Sequence, residues 1–212
     1  MFDIEYKGAN AVVFTTKKVK IVFDPKLSLV GVKDVAIDGA VQMLTDERFE
    51  IEGAIPKLTF RGPGEYEVED VSLVGVAAQR HIDTPEQGLL ATIYRLTIGE
   101  VKVAVIGNVA PKLDEDQLEA LGMVDVVVIP VGGGGYTLDA SDAAVMVRQI
   151  EPRAVIPVHY ADSVLKYEVP QEDLEVFIKE LGAGIVEAGP KHKIKGISGL
   201  PEQLSIIKVA RS

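Results

Sequence analysis

"MVDVVVIPVGGGGYTLDASDAAVMVRQIEPRAVIPVHY", residues 123–160, is the stretch on which the fold of this chain turns. It opens with a nearly continuous apolar run of the kind found in strands buried on both faces. Next comes a helical segment with Ala143, Ala144, Val147 and Ile150 on one face, and Pro152 stops it. "RAVIPVHY" is a second buried strand. The four glycines between the first strand and the helix lack the Lys-Ser/Thr of a phosphate-binding P-loop. They read as a strand-to-helix connection, and a backbone N–H nest for an anion is the second reading.

The neighbouring segments extend this pattern. Downstream, "VPQEDLEVFIKELG" predicts a helix with Pro170 in its first turn, Leu174, Phe177, Ile178 and Leu181 inward, and Gly182 as its cap. Upstream, "LDEDQLEALG" places Asp114 three residues before Gln117, the spacing of a capping box, with Gly122 at the stop. The first hundred residues carry short runs rich in Val, Ile, Thr, Phe and Tyr, among them "AVVFTT", "VKIVFD", "AVQMLT", "KLTFRG", "VSLVGVAA" and "LLATIYRLTI". "TKK", "GPGE" and "TPEQG" punctuate them as turns, and a hairpin closes near Gly99-Glu100. A strand-rich start and a strand–helix–strand end fit two sheets packed face to face with helices outside.

Composition narrows the function classes. The chain has 212 residues, 47% of them hydrophobic, and reads as one domain. A formal net charge of −10 repels phosphate backbones and anionic membrane surfaces, so neither is an expected partner. No run approaches the roughly 20 apolar residues of a spanning helix, and the N-terminus is not patterned as a signal peptide. With no cysteine there is no disulfide framework and no thiolate ligand or nucleophile. A soluble cytoplasmic protein is the expectation.

Three apolar strands each release one polar side chain at their C-terminal tip: Asp24, Asn108 and His159. Tips that are neighbours would converge on one cleft. Alone, Asp24 reads as a turn cap. His159 alone reads as a hydrogen-bonded histidine at a sheet edge. "HIDTPEQG" (residues 81–88) reads as a surface loop, with a mobile lip over a cleft as its second reading. His192, in "KHKIKG", reads as part of a solvated basic face. No serine sits in a Gly-x-Ser-x-Gly elbow.

The order of these landmarks resembles the metallo-β-lactamase superfamily. Asp24 after "KIVF", Thr45 after "VQML", "GPGEYEVEDVSLVGVAA", "VAVIGN" and the run from Val124 to Tyr160 carry the resemblance over nearly the whole chain. It is most like the branch of small cytoplasmic metal-dependent hydrolases. That implies one domain over residues 1–212, a four-layer αββα sandwich with two mixed β-sheets flanked by helices. It also implies a di-metal hydrolytic site, usually zinc, at the shared edge of the sheets.

The family hallmark His-x-His-x-Asp-His follows a Leu-Thr, and here Leu44-Thr45 is followed by "DERFEI". Asp46 and Arg48 stand at the leading histidines, Glu50 at the aspartate and Ile51 at the last histidine. His81 falls about one residue out of step with a further ligand, and Asn108 replaces the bridging aspartate. Arg48 cannot shed its proton and Ile51 has no donor atom. The resemblance therefore implies a hydrolase relative whose metal ligands are largely substituted. It would have no cofactor, be weakly active or inactive, and bind a small ligand in a cleft that Asp24, Asp46, Arg48, Glu50, Asn108 and His159 would line. The alternative is a hydrolase of an ester, amide or phosphodiester with a rebuilt mononuclear site of Asp46, Glu50, His81 and His159, using zinc or another divalent metal. A homo-oligomer is compatible with either.

Overall fold

The computed structural model describes residues 1–212 apart from the side chain of Pro85. Strands β1 (Phe2–Gly8), β2 (Ala11–Thr15) and β3 (Lys20–Phe23) are antiparallel, and β4 (Val41–Leu44) and β5 (Leu58–Arg61) add in parallel. Gly62 and Pro63 then carry the chain to a second sheet. There β6 (Gly64–Val68), β7 (Val71–Ala78), β8 (Ala91–Ile98) and β9 (Val101–Val105) form an antiparallel meander, with the expected hairpin at Gly99-Glu100.

Strand and helix then alternate through α1 (Glu115–Leu121), β10 (Val126–Pro130), α2 (Ala140–Ile150), β11 (Ala154–Val158), α3 (Leu174–Leu181) and β12 (Gly184–Ala188). The short β13 (His192–Ile194) returns to pair with β1, and β14 (Ser205–Val209) inserts between β11 and β12. The result is a six-stranded sheet ordered β13-β1-β2-β3-β4-β5 and an eight-stranded sheet ordered β12-β14-β11-β10-β9-β8-β7-β6. Both are mixed, and the fold is the expected α/β sandwich.

The main core lies between the sheets, where Phe14, Phe23 and Tyr94 pack edge to face at 5.7 and 5.8 Å. Such pairs add about 0.5–1.5 kcal/mol each beyond the area they bury. A second core joins the eight-stranded sheet to the helices: Ala143, Ala144 and Val147 of α2 and Phe177 of α3 meet Val127, Ile129 and Val155. Among the described residues, the three α-helices all pack on this face.

The outer face of the six-stranded sheet is covered instead by the β3–β4 connection, with Leu27, Val30, Ile37 and Ala40 buried and a single 3-10 turn at Leu27–Val30. Parallel strands need a crossover. This one carries Pro25, Gly31, Gly39 and several β-branched residues, so it stays a packed loop.

Two local expectations are corrected. Helix α3 begins after Asp173, and Pro170 stands in the preceding loop. That loop is tied down by Glu172 N–H donating to Gly132 O at 2.7 Å and Ala161 N–H donating to Glu172 O at 2.9 Å, which fixes it in a non-helical path. His192 is half-buried in β13, opposite Ile4, rather than on a solvated face. The capping box of Asp114 and Gln117 is present at α1, and Gly122 closes that helix with φ +58°.

Parallel pairing makes the site. β3 runs parallel to β4, and β9, β10 and β11 run parallel to one another, so within each sheet those strands end on one rim. The rims of the two sheets face each other there.

Candidate functional site

Asp24 follows β3 and is buried, with φ +45°, a conformation Asp tolerates better than most residues. Thr45 N–H donates to its Oδ1 at 2.8 Å, and the Thr45 hydroxyl lies 2.6 Å from its Oδ2. Burial pushes the carboxyl up to about 7, more than the two Thr45 hydrogen bonds hold it down. Gly107 secures this pairing from the other sheet. A Cβ there would lie 2.6 Å from Thr45 Cβ, so only glycine lets the β9 tip approach.

His159 follows β11 with φ +51° and is 7% exposed. Its N–H donates to Ala9 O at 2.9 Å, and its ring stacks on Tyr167 with centroids 4.9 Å apart. Asn10 Nδ2 donates to Asn108 Oδ1 at 2.8 Å, which leaves Asn10 Oδ1 to accept from His159 Nδ1 at 2.9 Å. The proton therefore sits on Nδ1. Nε2 keeps its lone pair and has no partner among the described residues. Burial, with the Arg48 charge adding to it, holds the imidazole down to about 3, so it is neutral at any physiological pH.

Asp46 caps the 3-10 turn Glu47–Phe49 by accepting from Arg48 N–H at 3.0 Å. Its buried Oδ2 stands 3.5 Å from Arg48 Nε and 3.6 Å from Arg80 Nη1. Arg80 is itself clamped on Asp83 by bonds of 2.6 and 3.0 Å. The Arg48 guanidinium lies over the Phe49 ring at 4.8 Å and the Tyr136 ring at 5.7 Å. Tyr136 in turn hydrogen-bonds Glu168. These groups surround a cavity of about 180 Å³ lined by Asn10, Asp24, Lys26, Arg48, Tyr136 and His159 on its polar side and by Leu27, Leu29, Val30 and Phe49 on its apolar side.

The three strand tips thus behave differently. Asp24 and His159 reach the cavity, and Asn108 acts through Asn10. Arg48 lines the cavity and Asp46 holds it from behind. Glu50 points away: its carboxylate pairs with Arg61 at the surface, which lowers it below the usual range. Ile51 packs against the outer face of the six-stranded sheet. His81 is held by its backbone, whose N–H donates to Asn108 O at 3.0 Å.

Asn10, Lys26, Arg80, Tyr136 and Tyr167 were not legible as site residues in the sequence. Asn10 looks like an ordinary turn residue after Gly8-Ala9, Tyr136 follows a glycine run whose reading concerned only its backbone, and Lys26, Arg80 and Tyr167 belong to no motif.

A divalent cation does not fit this donor set. Among the described residues no three His, Asp or Glu side chains come together as a metal-binding group. The four residues of the alternative site, Asp46, Glu50, His81 and His159, are therefore not gathered. Two guanidiniums occupy the electrostatic position beside Asp46, where a cation would be repelled. Zinc takes three or more protein ligands in nearly all sites.

A two-sheet sandwich with polar strand tips gathered on one rim is the architecture of the metallo-β-lactamase superfamily. The chain belongs to that superfamily: the model for the "Beta-lactamase superfamily domain" matches residues 3–159. It is 43% identical over 65 residues to a metal-dependent hydrolase of Cupriavidus metallidurans and 30% identical over 99 residues to one of Thermococcus onnurineus. These matches cover 30% and 46% of this chain and only 21% and 44% of those relatives.

In fold, the chain resembles a proposed Zn-dependent hydrolase of the metallo-β-lactamase superfamily from Thermotoga maritima, with a TM-score of 0.77 and 20% identity over 99% of this chain and all of the other.

Proposed function

We propose that this chain keeps the cleft of its superfamily but holds Arg48, paired with Asp46, where its relatives would hold metal, and binds a small molecule with little or no hydrolysis. The observation that supports this is the placement of two guanidiniums within 3.6 Å of one buried Asp46 oxygen. The remaining groups are weak catalysts. An imidazole whose pKa is about 3 makes a poor general base at pH 7. Asp24 has a more suitable value, but Thr45 occupies both of its oxygens. A cytoplasmic setting, no resident cofactor and no nucleic-acid or membrane partner belong to the same reading. No helix among the described residues is long and apolar enough to cross a membrane.

The description of relatives as metal-dependent hydrolases favours a second reading, a hydrolase of an ester, amide or phosphodiester working with one zinc or similar ion. The two are separated by assaying p-nitrophenyl acetate and bis(p-nitrophenyl) phosphate with added zinc and with EDTA. The first reading expects rates indifferent to both additions. A zinc-dependent rate that His159→Asn removes would establish the second.

A further inference from the structure

The cavity also carries an argument about ligand chemistry, which rests on the metal-free reading above. Four charged residues line it: Asp24, Lys26, Arg48 and Glu168. The two carboxyl groups are already engaged, Asp24 by Thr45 and Glu168 by the Tyr136 hydroxyl. The two cations are less so. Lys26 has no ion pair among the described residues. Arg48 is held by its Nε and backbone on Asp46 and by its face on Phe49 and Tyr136. Neither Nη nitrogen has a hydrogen bond among the described residues, and the nearest contact with Asp46 is made by Nε. A guanidinium fixed on one side and open on the other presents a planar two-donor fork, the geometry that matches a carboxylate.

The rest of the wall limits what can accompany that head group. Leu27, Leu29 and Val30 form one side, and Leu29 is 48% exposed. An apolar ligand body would cover it. A volume of about 180 Å³ lies below the roughly 300–1,000 Å³ of pockets for drug-sized ligands, so the occupant is small. Glu168 in the wall, joined by Asp24 once that carboxyl ionises near pH 7, disfavours a dianion. His159 Nε2 offers an acceptor to a ligand that also carries a hydroxyl or N–H.

We infer that this cavity binds a small monoanionic carboxylate, its oxygens on the Nη fork of Arg48 and its apolar body against Leu27, Leu29 and Val30.

Calorimetric titration of the full chain with hexanoate, hexanamide and inorganic phosphate tests this, with the metal content of the same preparation measured alongside. The expected result is saturable hexanoate binding, at least tenfold weaker for hexanamide and phosphate, and at least tenfold weaker in Arg48→Gln. Leu29→Ala should weaken hexanoate severalfold without weakening acetate. No hexanoate binding, equal affinity for acid and amide, phosphate binding as tightly as hexanoate, or full affinity in a folded Arg48→Gln protein would each overturn the inference. Should Arg48→Gln fail to fold, the acid–amide contrast in the wild type decides.

Hexanoate binding that EDTA abolishes would place the carboxylate on a metal and overturn the inference together with the reading it rests on. Metal present with EDTA-insensitive binding would sink that reading alone.

Discussion

Asn10 and His159 meet across the two sheets, amide oxygen to ring Nδ1 at 2.9 Å, and Asn108 completes the row by accepting from Asn10 at 2.8 Å. The first residue follows β1 in one sheet, and the other two follow β11 and β9 in the opposite one. A three-residue polar chain therefore joins the rims, and all three members are buried. Removing one member would leave its neighbour's buried polar atom without that partner, so each member holds the others.

That relationship fixes how His159 responds to acid. Its pKa is lowered to about 3, so the folded state takes up its proton later than the unfolded chain, which titrates near 6.5. Its contribution to stability is thus intact above pH 6.5 and is lost as pH falls from there towards 3. In an NMR titration the His159 ring resonances should stay flat from pH 8 down to 4.5 and report the Nδ1–H tautomer throughout. A midpoint near 6.5 would contradict the described burial.

Asp24 has the opposite dependence. Its folded pKa of about 7 lies above the unfolded value of 3.8, so the folded state holds a proton that the unfolded chain has released. Stability should therefore fall as pH rises from 4 to 7 and level off above that. Asp24→Asn keeps an acceptor for Thr45 N–H and tolerates the positive φ. At pH 8 it should be more stable than the wild type by on the order of 2–4 kcal/mol, with no gain at pH 4. Urea melts at the two pH values measure this, and a variant destabilised equally at both would refute it.

The glycine run after β10 contains two different kinds of position. A Cβ on Gly132 would press on the His159 carbonyl oxygen and lie 2.5 Å from Gln171 Oε1. Gly135, with φ +75°, has nothing within 4 Å of such an atom. Gly135→Ala should cost about 1 kcal/mol of backbone strain. Gly132→Ala must displace the backbone behind His159 and should cost well over 3 kcal/mol or prevent folding. Thermal melts of the two variants check the ordering, and similar costs at both positions would contradict it.

Much of the fold was legible because its signals are local. The apolar runs of β10 and β11, the capping box at Asp114 and the stop at Glu151-Pro152 each announce themselves within a few residues. The last strands were not. In β12, Gly184 to Val186 stay exposed at a sheet edge, and β13 and β14 pair with strands far back in the chain.

The site divided along the same line. Strand tips picked out Asp24, Asn108 and His159, and the alignment to the family hallmark picked out Asp46 and Arg48. Glu50 and Ile51 share that segment, yet the turn at Glu47–Phe49 sends both away from the cavity. Arg80 and Asn10 enter only because the opposite sheet brings them. Sequence spacing carries no such information across a sandwich.

The most direct measurement is elemental analysis by mass spectrometry of the chain purified without chelator, repeated after dialysis against equimolar zinc, manganese and iron. An ion pair at Asp46 in place of a cation predicts less than about 0.1 equivalent of any of these metals, with a melting temperature unmoved by EDTA. One equivalent of a divalent ion that resists dialysis and disappears in His159→Asn would contradict the account.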